Sequence, residues 1–452
     1  MLNLDAMAAM FARNRNGYTL PQDLYVSREA YVFDTQVMLK SVWLFACTVA
    51  HVKNPGDWYR FDMANNSVII VRGKDEEIRA FYNTCTHRGA QLCGDTQGRV
   101  PRFTCPYHSW AFGLDGKLMA ARNMPDGFDK SEHGLHPVAI ENVAGLLFIC
   151  LADNPPPIDR VREDVGQQVG LYNLDRLKVA YQDDLIENAN WKLTMENNRE
   201  CYHCDSNHPE LLNSLSGDGF GDGSPEDGLG ADVAAFVALW KERGFHRDLI
   251  EFPDNWWHRV ARLGLAKGAV SQTLDGTPAS SKLIWDFDEP APTSLSVWTH
   301  PNSWHHFCCD HAITFSVVPI APDKTLLRTS WLVHEDAIEL EDYTVENLTA
   351  VWRETNLQDS RLAEINHRGI ATDGYRQGMY AREEYLVESF KNFYVECSLS
   401  ALNDLVRSAT EPKAAPVDAD HAISGLPDLA IVDGTPVAAG PVEGAICGDN
   451  PG

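Results

Sequence analysis

A chain of 452 residues with 44% hydrophobic content is too long for one small module and predicts two domains, or one large domain carrying an insert. Its net charge of −26 argues against nucleic acid and against anionic membrane surfaces as partners. Eleven cysteines, an odd number without a framework, predict reduced thiols in a cytoplasm, and no apolar run reaches membrane-spanning length.

The start, "MLNLDAMAAMFARNRNGYTL", lacks the basic-then-apolar order of a signal peptide. The runs "SVIIVRG" from Ser67, "EIRAFYNT" from Glu77 and "GLLFICLA" from Gly145 read as strands of a small β domain. Among them stands "CTHRGAQLCGDTQGRVPRFTCPYH", with Cys85-x-His87 and Cys105-x-x-His108 as mirrored pairs. Four such ligands suit a zinc ion or a [2Fe–2S] cluster in which two histidines replace two cysteines on one iron. A Cys2His2 zinc site groups its cysteines first and its histidines second. Here each loop offers one of each, which favours the Rieske cluster. Gly89, Gly94 and Gly98 permit tight turns beside it, and Cys93 reads as a small buried residue.

"NPPPID" at 154–159 reads as a linker. Beyond it, "NWKLTMENNRECYHCDSNHPELL" has no Gly or Pro from Trp191 to about Cys204 and predicts a helix that makes Glu200 and His203 neighbours. Pro209 pushes His208 out of helical geometry, so both histidines can meet on one ion. The common iron solution adds one carboxylate to two histidines and leaves positions open for O2 and substrate. In "DYTVENLTAVWRETNLQDSRLAEINHRG", Leu348, Trp352, Thr355, Asp359 and Leu362 form one stripe of an amphipathic helix. A carboxylate there is either a metal ligand or half of a salt bridge. Cys201 and Cys204 read as packing residues rather than a redox pair. "DGFGDGSPEDGL" from Asp218 reads as an acidic loop near the substrate entrance, and "LSVWTH", "HAITFSVVPI" and "TLLRTSWLVH" read as an antiparallel meander. The tail from about Ser408 is Ala-, Pro- and Gly-rich and is expected to be disordered. No nucleotide-binding glycine motif is present, so nicotinamide and flavin are expected on another protein.

"CTHRGA" and "CPYHSWAFGLDGKL" resemble the cluster segment of Rieske non-haem iron oxygenase alpha subunits, and the resemblance runs from about residue 20 to 405. It implies an α+β fold. An all-β Rieske domain (40–155) sits within a helix-grip-like catalytic domain with an antiparallel sheet (1–39 and 156–407), and 408–452 form the tail. The family motif, carboxylate-x2-His-x4-His with a later "N-x-Q-D", matches Glu200, His203, His208 and Asn356–Asp359. By resemblance Cys85, His87, Cys105 and His108 hold the [2Fe–2S] cluster, and His203, His208 and Asp359 hold Fe(II). Glu200 carries electrons from a neighbouring subunit's cluster to that iron, within a homotrimer.

Many ring-hydroxylating members have Asp at the bridge. Glu200 departs from them and resembles members acting on quaternary ammonium compounds. The segments "ENNRECYHC", "HPNSWHHF" and those around Asp359 look most like the glycine betaine and proline betaine (stachydrine) demethylating monooxygenases. The resemblance implies O2-dependent hydroxylation of an N-methyl group with release of formaldehyde, fed by a separate NADH-dependent flavin/iron–sulfur reductase. Of the aromatic residues flanking the motif, Tyr202 and Trp304 are singled out to hold the cation, with Asn302 and His306 for a substrate carboxylate. The rival readings are an aromatic-ring dioxygenase or O-demethylase, and a Rieske electron-transfer or redox-sensing protein without catalysis.

Overall fold

The computed structural model describes residues 2–215, 238, 240–242, 249–252, 257–266 and 268–410. The acidic loop from Asp218 and the tail beyond Thr410 lie outside the described residues. Two seven-stranded antiparallel sheets organise the chain. The first runs Leu44–Thr48, Leu146–Cys150, Pro137–Val143, Ile78–Tyr82, Asn66–Arg72, Asp57–Met63, Gln97–Arg99. The expected runs from Ser67, Glu77 and Gly145 are three of these strands. A three-stranded sheet, Phe103–Thr104, Ala111–Phe112 and Leu118–Ala120, carries the second Cys/His pair.

The second large sheet runs Leu177–Glu187, Lys324–His334, Ala312–Ala321, Ser303–Phe307, Thr293–Thr299, His258–Gly264, Ile250–Glu251. Pro322 and Asp323 make the turn between Ala312–Ala321 and Lys324–His334. The sheet's strands Ala312–Ala321, Ser303–Phe307 and Thr293–Thr299 are buried almost throughout, because both faces are covered there. On one face, Phe45 of the first sheet lies 4.5 Å from the His305 ring, and Arg328 Nη1 donates to the Tyr59 hydroxyl at 2.7 Å. On the other, helix Val345–Ile370 crosses the sheet: Trp352 stacks on His306 at 4.6 Å, and Asn356 Nδ2 donates to Thr329 Oγ1 at 3.0 Å.

The helix that leads to the metal motif, Trp191–Asn198, begins on a buried ion pair. Asp34 accepts from Lys192 Nζ at 2.5 Å, from Trp191 Nε1 at 3.0 Å and from the Tyr394 hydroxyl at 2.8 Å, and both ions have 0% side-chain exposure. One carboxylate thereby ties the N-terminal segment, the site helix and the C-terminal helix Tyr385–Thr410. Removing one partner strands a buried charge. Lys192→Met is expected to lower stability by about 3–5 kcal/mol, measured as a fall in the denaturant midpoint. An unchanged midpoint would remove this pair from the forces holding the site helix.

Candidate active site

The two Cys/His pairs fold as matching loops. Cys85 N–H donates to the Ala90 carbonyl at 2.8 Å, and Gly89 N–H returns to the Cys85 carbonyl at 2.9 Å. In the second loop Cys105 N–H donates to Trp110 O at 2.8 Å and Ser109 N–H to Cys105 O at 3.0 Å. The fifth position of each loop is left-handed: φ is +78° at Gly89 and +60° at Ser109. Glycine meets that demand at the first loop without strain. Gly98 packs against the Trp58 ring, whereas Gly94 has open space and ordinary backbone, so nothing in the fold demands glycine there. The loops bring the His87 and His108 rings to 4.7 Å, with Trp110 stacked on His87 at 4.7 Å. Cys85, Cys93 and Cys105 are free and buried. Burial raises the Cys85 thiol, and the neighbouring Cys105 thiol adds to the rise. His87 Nδ1 is buried without a hydrogen-bond partner among the described residues. Two thiols and two imidazoles that converge with a donor left orphaned fit a [2Fe–2S] cluster ligated by two Cys and two His.

The second site departs from the expected helix. The helix stops at Asn198 instead of running to Cys204. The cause is local: the Glu200 carboxylate caps the backbone N–H groups of Tyr202 and His203, which competes with helix continuation. Glu200 Oε1 also meets His203 Nδ1 at 2.5 Å. A second short helix, Cys204–Asn207, then ends at His208, held at φ −124° and ψ 60° before Pro209. His203 Nε2 and His208 Nε2 come within 2.9 Å of each other. Asp359 Oδ1 lies 3.2 Å from the first and 2.9 Å from the second. Ligand atoms on one face of an octahedron with bonds of about 2.1 Å stand about 3.0 Å apart, so the triangle fits three adjacent positions on one ion, with the opposite face open. Gln358 Oε1 accepts from His208 Nδ1 at 2.8 Å, which fixes that ring's tautomer and leaves Nε2 to the metal. Burial pulls the His203 pKa down, but hydrogen bonds to Asp359 and Glu200 outweigh it and lift it to about 9. Asp359 is pushed up by burial and pulled further down by His203 and His208.

Cys201 and Cys204, read as packing residues, are joined as a disulfide beside this triangle. The triangle opens into a small inner cavity walled by Asn197, Asn198, Leu211, Trp298, His306, Trp352 and Thr355. On its outer side lies a cleft of about 530 Å³ lined by Glu196, Tyr380, Glu384, Leu362 and Ile365. Asn197, Glu200 and His203 border both spaces and form the wall between them.

Of the four residues singled out for substrate, only His306 lines the inner cavity. Asn302 spends its whole amide on the Phe45 backbone, accepting from its N–H and donating to its carbonyl, both at 3.0 Å. Trp304 packs flat on Phe315 at 4.8 Å and Tyr202 is 66% exposed; neither lines the cavity. Sequence reading took Trp352 for a core residue of the helix stripe. It stands seven residues, two helical turns, before Asp359, and that shared stripe was the available signal.

Two family models match the chain: "Rieske [2Fe-2S] domain" over residues 42–136 and "Ring hydroxylating alpha subunit (catalytic domain)" over 174–399. The chain is 39% identical over 402 residues to the glycine betaine monooxygenase oxygenase subunit of Chromohalobacter salexigens, covering 88% of this chain and 90% of that one. It belongs to the Rieske oxygenase alpha subunits. The same-named subunit of Pseudomonas aeruginosa is 38% identical, with 88% and 93% covered. The oxygenase carries a [2Fe–2S] cluster and a non-haem iron, and works with O2, a small-molecule substrate and a separate reductase. Its fold matches a crystallised quaternary ammonium Rieske monooxygenase with a TM-score of 0.65 at 22% identity, covering 88% of this chain and 99% of that one. It matches naphthalene 1,2-dioxygenase from Rhodococcus sp. with a TM-score of 0.62 at 17% identity over the same shares. One fold thus hosts both substrate types, and the choice between them falls to the cavity. No helix among the described residues is long and apolar enough to cross a membrane.

Proposed function

We propose that this oxygenase removes an N-methyl group from a small quaternary ammonium compound, glycine betaine first and proline betaine second. The observation that carries the reading is the identity of 38–39%, over 88% of the chain, to subunits named for glycine betaine. The cavity supports it. Trp352 presents indole surface beside the triangle, and a quaternary ammonium, which offers no hydrogen bonds, is held best against such a ring.

In this reading Cys85, His87, Cys105 and His108 hold the cluster in the module 40–155, and His203, His208 and Asp359 hold the iron in the part formed by 1–39 and 156–407. The cluster supplies single electrons, and the iron supplies O2 activation and insertion into a methyl C–H bond. One O2, two electrons and two protons then give hydroxymethyl product and water, and the hemiaminal loses formaldehyde and a proton. The chain's residues set the stage. Glu200 orients the His203 ring through Nδ1, and Gln358 does so for His208. Glu200 has no hydrogen-bond partner from the cluster loops of its own chain among the described residues. In this reading the electron enters through the outer cleft from the cluster of a second copy, within a homotrimer. NADH in this reading reaches the system through a separate reductase, in the cytoplasm.

Turnover with a surrogate NADH-dependent reductase tests the substrate. Glycine betaine, proline betaine, carnitine, benzoate and aniline are supplied in turn, and formaldehyde and the demethylated amine are quantified. Glycine betaine is expected to give both products at the highest rate. Hydroxylated aromatic product, with no formaldehyde from any betaine, would transfer the oxygenase to the ring-hydroxylating reading.

A further inference from the structure

The cavity described so far accounts for the cationic end of a betaine and leaves its carboxylate without a partner. Glu200 and Asp359 repel it. His306 is held neutral, its pKa pulled down to about 3 by burial and then by His311. Arg199 stands out next to this space. It is 0% exposed, and no carboxylate pairs with it among the described residues. Its guanidinium donates to His300 Nε2 at 3.3 Å, to the Ser303 carbonyl at 3.1 Å and to Asn198 Oδ1 at 2.7 Å, and it lies 4.7 Å over the cavity-lining Trp298 ring. A buried cation without an acid is costly, and an anion brought close to it relieves that cost.

The contact with Asn198 has a directional consequence. Arginine only donates, so the amide oxygen of Asn198 must face it and the Nδ2 group must face away. Asn198 lines the same cavity as His203, His208 and Asp359, and its Nδ2 makes no hydrogen bond among the described residues. We propose that Asn198 Nδ2, oriented by Arg199, donates to the carboxylate of a betaine in the iron cavity. Arg199 is then a positioning residue whose unbalanced charge makes this end of the cavity select an anion. The inference rests on the quaternary ammonium reading above.

Calorimetry on the anaerobic, reduced, iron-loaded oxygenase separates the two ideas. The probes are glycine betaine and choline, which share the trimethylammonium group and differ in carboxylate against hydroxyl. Asn198→Asp is expected to weaken glycine betaine about tenfold or more and to leave choline within about twofold. Asn198→Ala should lower the betaine-to-choline affinity ratio in the same direction and replaces the Asp variant if that loses its cluster spectrum. Arg199→Lys keeps a donor and a charge and should restore most of the ratio that Arg199→Gln loses. Wild-type protein that binds both probes, together with an unchanged ratio in folded Asn198 variants, would overturn this proposal and spare the reading beneath it. Wild-type protein that binds neither would overturn both.

Discussion

Asp359→Ala abolishes turnover and empties the mononuclear iron site, while the visible spectrum of the [2Fe–2S] cluster persists. The carboxylate supplies one corner of a triangle whose edges are 2.9–3.2 Å, and it is the sole anionic corner. Without it, two imidazoles face each other across a buried gap. Loss of an outer hydrogen-bond partner typically costs about 10–100-fold in metal affinity or activity, and loss of a direct ligand exceeds that. Iron analysis per chain and cluster EPR check the result. A folded Asp359→Ala protein with full iron and full activity would strike this residue from the ligand set.

Glu200→Gln keeps both metals but slows cluster reoxidation by O2 in the presence of substrate by about 10–100-fold. Glu200 belongs to the wall between the inner cavity and the outer cleft, with Oε1 on His203 Nδ1 at 2.5 Å. Glutamine retains an acceptor of similar shape and loses the charge that draws the Nδ1 proton. His203, His208 and Asp359, the proposed ligands, are unchanged, so metal content separates this variant from Asp359→Ala. Stopped-flow absorbance of the reduced cluster reads the effect. A wild-type reoxidation rate would assign Glu200 to capping Tyr202 and His203 alone.

Local chemistry made much of this site legible before the fold. Cysteine and histidine have few reasons to recur as mirrored pairs, so the cluster loops stood out, and Pro209 announced the break that frees His208. Continuous apolar runs marked strands such as Leu146–Cys150 because both of their faces are covered. The misses are tertiary. Asn302 lies on the motif-bearing segment, but its amide is claimed by the Phe45 backbone, a partner 257 residues away. Trp352 read as core because cavity walls and cores use the same residues. The early helix stop at Asn198 needed the Glu200 cap, a choice between two nearly equal local hydrogen-bond patterns.

Single turnover tests the account's central claim most directly. The fully reduced oxygenase, freed of reductase and mediator, holds one electron in the cluster and one at Fe(II), enough for one O2 cleavage. Mixed with glycine betaine and then O2, it is expected to release about one formaldehyde and about one dimethylglycine per chain, as the cluster oxidises. Full cluster oxidation with intact glycine betaine, no formaldehyde and no dimethylglycine would contradict it.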